Sequence, residues 1–173
     1  IKDARLLGVE KDTEKRYADQ RSWDFDVQRQ GWRYHMSNIM AAIGMVQLER
    51  FSEILEKRRK LATEYIKHLQ DAPGVTYLEH DYSEVVPHIF PIRIKGLIDR
   101  KGLQHALAEA GIQTGYHYQP NHWLSLYANQ TSRSLPHTEA IFPTLLTLPL
   151  HEDLENKDVE YICSKLKATH GDF

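Results

Sequence analysis

Hydrophobic positions along the chain change their spacing more than once. From Ser37 onward Ile39, Ala42, Ile43 and Val46 recur at three- and four-residue intervals, and the period continues through Ile54, Leu61, Tyr65 and Leu69 until DAPG at 71–74. This predicts a long helix over 37–70, capped by the Ser37 hydroxyl and ended by the Pro-Gly pair. Roughly thirty residues is long for a helix in a compact domain, and such an element crosses between two bodies or runs along an interface. Ahead of it, Trp23, Phe25 and Val27 alternate with polar neighbours, which predicts a short extended segment. Beyond 74, VTYLE (75–79) and HIFPIRI (88–94) read as strands, with Pro91 predicting an edge position or a bulge for the second. Asp99 is placed to cap a helix through Leu103, Leu107 and Ala110, which Gly111 stops. GIQTGYHYQP reads as a strand entering a proline loop, a short helix is expected over 138–146, and LPLHEDL is a loop. Asn156 is expected to cap a last helix with Val159, Ile162, Cys163 and Leu166 on one face. The part from 71 to 173 is therefore expected to be α+β, a small sheet with helices packed on it.

Composition narrows the class of protein. With 173 residues, 41% hydrophobic and 27% charged, the chain can bury one ordinary core and is neither fibrous nor compositionally disordered. Lys and Arg number 22 against 24 Asp and Glu, a formal net charge of −2, which argues against a globally basic nucleic-acid binder. Cys163 is alone, so an intrachain disulfide is impossible and a reducing, cytoplasmic setting is expected. No apolar run approaches the roughly 20 residues that span a bilayer, so no membrane partner is expected. The chain opens on Ile1 rather than Met, and the expectation is a piece of a longer product.

Two stretches carry candidate chemistry. In GWRYHMSNIMAAIG (31–44), Arg33 and His35 alternate with Trp32 and Tyr34 just ahead of a helix N-terminus. Cationic side chains beside the free amides of a first helical turn suit an anion such as a phosphate; the plainer alternative is two surface residues flanking a buried Trp and Tyr. In GYHYQPNHWLSLY (115–127), His117, His122, Tyr116, Tyr118 and Tyr127 crowd a strand end and a proline loop. Polar aromatics there can stack on a ring and hydrogen-bond hydroxyls, or simply cover a sheet edge. The two histidines lie five apart with no third ligand at a recognised spacing, so no metal is expected. His151 in LPLHEDL could join the same pocket, and the RRK run at 58–60 reads as a solvated helix face. Cys163 falls on the apolar face of the last helix and reads as inert packing. No GxSxG, HExxH or glycine-rich phosphate loop is present.

Taken in order, these segments resemble a known family. GWRYHMSNIMAAIGMVQLERFSEILEKRRKLATEYIKHL is similar to the stretch of DegT/StrS-type nucleotide-sugar aminotransferases in which an aromatic turn opens a long helix reading AAIG, QL and then a basic pair. GIQTGYHYQPNHWLSLY resembles the family's HY-x-P-x-H loop, and LPHTEAIFPTLLTLPLHEDL its lP-x-(A/T)-E and L-x-LPL region. The resemblance implies an aspartate aminotransferase-like fold (PLP transferase type I), of which this chain is the C-terminal domain plus the interdomain helix. Residues 1–36 would be the tail of the large cofactor domain and the approach to the subunit interface, 37–70 the interdomain helix, and 71–173 the small domain. It implies pyridoxal 5′-phosphate as cofactor, glutamate as amino donor, a nucleotide-sugar as acceptor, and a homodimer. The product would feed cell-surface polysaccharide or natural-product sugar biosynthesis.

His35 stands where relatives carry an Arg or Asn that reaches the cofactor phosphate of the neighbouring subunit, so phosphate binding is carried to it and, more loosely, to Arg33. His117, Tyr118 and His122 are carried to the nucleotide-sugar. The lysine that binds the cofactor covalently precedes the matched region in family members, so no catalytic residue is expected in this chain, and the chain alone is expected to be inactive. The alternatives are a non-catalytic sugar-binding or dimerisation module, and a same-fold dehydratase whose deciding residue lies outside these residues.

Overall fold

The computed structural model describes residues 4–9, 26–128 and 134–173. Trp23 and Phe25, expected in an extended segment, lie outside the described residues. The chain divides into two compact units, Ile1–Arg50 and Phe51–Phe173.

In the first unit the approach to the helix is extended, as the alternation predicts. Trp32 N–H donates to the Ala4 carbonyl (2.6 Å), Tyr34 N–H to that of Arg5 (2.8 Å) and Leu7 N–H to that of Trp32 (3.1 Å), with Leu6 opposite Arg33 in an antiparallel bridge. Gly31 has to be glycine here, because a Cβ would run into the backbone of Gly8 and Leu7. Helix α1, Asn38–Glu49, starts where expected, with the Ser37 hydroxyl accepting from Met40 N–H at 3.3 Å. It ends at Arg50 instead of continuing, so the stretch from 37 to 70 forms two helices.

The second unit holds the core. Helix α2, Phe51–Leu69, is followed by β1, Val75–Tyr77, and β2, Phe90–Ile94; then come α3, Arg100–Glu109, two short helical turns α4, Ser125–Ala128, and α5, Pro136–Ile141, strand β3, Leu145–Leu148, and helix α6, Asn156–Thr169. The sheet order is β1-β2-β3, antiparallel throughout. Along β2, Phe90, Ile92 and Ile94 point into the core with Leu146 and Leu148 of β3, against Leu61, Tyr65 and Leu69 of α2, Leu103 and Leu107 of α3, and Val159, Ile162, Cys163 and Leu166 of α6. Each such side chain taken fully from water contributes about 1.5–3 kcal/mol. The Tyr65 ring stacks on Phe90 at 4.7 Å and its hydroxyl donates to the Pro149 carbonyl at 2.7 Å, so the one polar atom it brings into the core is satisfied.

Four further expectations are corrected. Pro91 lies on the central strand, not an edge: it pairs with Thr147 of β3 but stands one residue past the last β1 pair, Tyr77 with Ile92, so on that side a missing N–H costs no ladder hydrogen bond. The third strand is Leu145–Leu148, whereas the expected strand GIQTGYHYQP contributes only one bridge, Gly115 with Thr147. The helix expected over 138–146 is α5 followed by a 3₁₀ turn at Phe142–Thr144. The last helix is capped by Glu155, not Asn156: its carboxylate and that of Asp158 accept reciprocally from the two backbone amides. The remaining punctuation is as expected, with the Asp99 carboxylate accepting from Gly102 N–H at 2.9 Å and Gly111 at φ +78° closing α3.

Candidate substrate loop and phosphate approach

The GYHYQPNHW segment is held over the sheet by contacts from four directions. Its root is fixed by the paired bonds between Gly115 and Thr147, N–H to carbonyl at 3.1 and 2.7 Å. Two residues on, His117 Nδ1 lies 3.0 Å from the Thr147 hydroxyl, so one strand residue holds both backbone and imidazole. Behind the loop, Arg100 from α3 lies between the rings of Tyr116 and Phe142, 4.1 and 4.4 Å from their centroids, and donates to the carbonyls of Phe142 (2.6 Å) and Leu145 (3.3 Å). At the far end His122 Nε2 lies 3.1 Å from Glu139 Oε1 of α5.

The carboxylate of Glu139 also accepts from Leu135 N–H at 2.8 Å, and that bond above all, with the His122 contact, holds it below the usual carboxylate range. His122 therefore spends its Nε2 inside the chain, and its side chain is only 12% exposed. His117 is half-buried with Nε2 unengaged among the described residues, and Tyr118 is exposed beside it, its ring edge-on at 4.6 Å. His117 and Tyr118 are thus the two expected contacts that the loop presents outward. His151 faces a separate groove with Gly111, Ile112, Pro149 and Tyr161 and does not join them. No group of three His, Cys, Asp or Glu is placed to hold a metal among the described residues.

Arg33 and His35 are exposed, on the extended approach one turn ahead of the Ser37 cap. Trp32 and Tyr34 stack on each other at 6.4 Å and are 54% and 74% exposed, so the alternative in which they form a buried pair does not hold within this chain. Neither Arg33 nor His35 has an ion pair or hydrogen bond from its side chain among the described residues. The RRK run is a solvated face only at Lys60: Arg58 donates to the carbonyls of Pro87 (3.4 Å) and His88 (3.2 Å), and Arg59 Nε to that of Val85 (3.2 Å), pinning the β1–β2 connection to α2. Cys163 is buried packing, as expected, its thiol pushed up to about 12 by burial.

Comparison with known proteins decides the family. The DegT/DnrJ/EryC1/StrS aminotransferase family matches residues 1–167. The chain belongs to this family. Spr1654 from Streptococcus pneumoniae, solved in PMP, PLP and apo forms, superposes on it with a TM-score of 0.86 for the PMP form, at 29% identity, over 99% of this chain and 44% of that one. The sugar aminotransferase CalS13 from Micromonospora echinospora gives a TM-score of 0.81 at 26% identity, over 96% of this chain and 43% of that one. The UDP-4-amino-4,6-dideoxy-N-acetyl-beta-L-altrosamine transaminase of Campylobacter jejuni is 27% identical over 146 residues, 82% of this chain and 39% of the relative. The chain thus spans about two fifths of the length of these relatives, with the small sheet and packed helices expected of the aminotransferase fold.

The family's cofactor is pyridoxal 5′-phosphate, and the residues here fit one end of it. Two unengaged side chains, a guanidinium and an imidazole that can each donate a hydrogen bond, stand ahead of a helix N-terminus and suit its phosphate. The eight described lysines, 57, 60, 67, 95, 101, 157, 165 and 167, are all exposed, so none has the desolvated setting that activates a Schiff-base lysine. Glu139, Thr147, Arg100 and Arg93 were not singled out in the sequence. Arg93 alone carried a readable signal: with Phe90, Ile92 and Ile94 facing inward in HIFPIRI, strand alternation turns it outward.

Proposed function

We propose that this chain forms part of a pyridoxal-phosphate-dependent aminotransferase that moves an amino group from glutamate to a keto carbon of a nucleotide-linked sugar. The observation that carries this is the loop geometry within a family match: Thr147 and Arg100 hold His117 and Tyr118 outward over the sheet. When bound, the cofactor carries the amino group between the two half-reactions. The chain's own residues bind and orient. His35, with Arg33 beside it, donates to the cofactor phosphate; an imidazole can do so in either charge state, whereas an arginine would bring a fixed charge. His117 and Tyr118 contact sugar hydroxyls, and His122, tied to Glu139, keeps the loop end in place.

The working unit is a homodimer in which His35 serves the neighbouring subunit's cofactor. Supporting this, α1 exposes Ile39, Met40, Ile43, Met45, Val46 and Leu48 and buries none of its residues within this chain, an apolar surface of the kind that subunit contacts cover. A cytoplasmic setting goes with this substrate, and no helix among the described residues is long and apolar enough to cross a membrane.

In the full-length protein, His35→Ala is expected to lose cofactor on gel filtration with the far-ultraviolet spectrum unchanged. Unchanged cofactor content would remove its role. The 173-residue chain on its own is expected to give no borohydride-reducible lysine adduct with added cofactor, and a stoichiometric adduct would contradict the assignment of that lysine to the rest of the protein.

A further inference from the structure

Among the described residues, α2, α3 and α6 pack on one face of the sheet. On the other, strand register puts Thr76, Arg93 and Leu145 in one row, with Pro91 and Thr147 in the next. A cavity of about 340 Å³ opens over these rows, lined by Thr76, Pro91, Arg93, His117, Ile141 and Leu145 among others. Its volume falls in the range of small-molecule sites, about 300–1,000 Å³.

Three features mark it as a site for an oxyanion carried on a larger group. Arg93 is exposed, and its guanidinium has no ion pair or hydrogen bond among the described residues. No Asp or Glu lines the cavity, so the charge is not neutralised locally; the groove beside α2, by contrast, sets Glu53 and Glu56 against Lys57 and Lys60. His117 closes the cavity with Nδ1 committed to Thr147, which leaves Nε2 for a ligand. The walls between the two polar groups are apolar, from Pro91, Ile141 and Leu145. A guanidinium binds phosphoryl oxygens bidentately, and the apolar walls accept a ring face, which glutamate does not possess.

The geometry points to Arg93 as the residue that holds the phosphoryl groups of a nucleoside diphosphate on the open sheet face, with the attached sugar toward His117. This rests on the reading of His117 as a substrate contact and adds to it the nucleotide end of the same ligand.

The test is an amide-resolved NMR titration of the ¹⁵N-labelled 173-residue chain with uridine diphosphate, inorganic phosphate and glutamate in separate arms. Uridine diphosphate is expected to give saturable shifts at Thr76, Arg93, Leu145 and Thr147, with inorganic phosphate acting weakly at the same amides. Arg93→Gln should weaken binding by about tenfold, the worth of one charge-assisted contact. Arg93→Lys should recover part of the loss, and Lys101→Gln, on α3, should change nothing. Equal affinity in Arg93→Gln, shifts centred elsewhere, no saturation with any anion, or a response to glutamate alone would overturn the proposal. Failure of amino transfer in the full-length protein leaves these shifts untouched, and loss of Arg93 dependence leaves amino transfer untouched, so the two readings fail separately.

Discussion

At Glu139 three donors meet one carboxylate: Leu135 N–H at 2.8 Å, His122 Nε2 at 3.1 Å and the Ser134 hydroxyl at 3.5 Å. All three favour the ionised form, and the backbone bond does so most. The sign of the pH effect follows from that lowered value. Above the ordinary carboxylate range the group is charged whether the contacts are made or broken, and their stabilisation is present in full. As pH falls through that range and past the depressed folded value, the released carboxyl takes its proton first and the stabilisation is lost. The protection factor at Leu135 is therefore expected to fall as pH drops through and below the ordinary carboxylate range, and Glu139→Gln should lower it at neutral pH as well. Protection at Leu135 that ignores both acid and substitution would remove Glu139 as the anchor of the loop.

At the level of elements, the connection between β1 and β2 has no regular structure and is held instead by α2. Arg58 is the principal clamp, with two carbonyls accepting its guanidinium and Glu152 3.7 Å away. Arg58→Ala is expected to destabilise the unit by about 1 kcal/mol, since the part-buried Pro87 carbonyl and the exposed His88 carbonyl lose a charged donor. A thermal melt reads this as a drop of several degrees, and an unchanged midpoint would show the clamp to be idle. Nothing in the sequence distinguished Arg58 from its charged neighbours, because its partners are backbone atoms 29 and 30 residues away. Local signals served better: the Ser37 and Asp99 caps, the stop at Gly111 and the inward face of α6 were readable because each depends on residues within one or two turns. Strand β3 was missed for a related reason. Leu145–Leu148 reads LLTL directly after a helical turn, and four residues are too few for their spacing to separate a short buried strand from a helix end. The candidate loop was readable in composition, but its geometry was not. The tie of His122 to Glu139 crosses 17 residues and the Arg100 sandwich 42.

Across the whole molecule, the two units divide the expected work. Ile1–Arg50 carries the proposed phosphate approach and the exposed apolar helix, while Phe51–Phe173 carries the core, the proposed substrate loop and the cavity over the sheet. This division belongs to a chain that spans about two fifths of its relatives' length. The central claim is amino transfer to a sugar, and isotope tracing tests it most directly. The full-length protein, given ¹⁵N-glutamate, pyridoxal 5′-phosphate and a UDP-linked keto-sugar, is expected to yield a sugar nucleotide carrying ¹⁵N by mass spectrometry. Loss of a sugar hydroxyl without gain of nitrogen, or no change in the sugar at all, would contradict it.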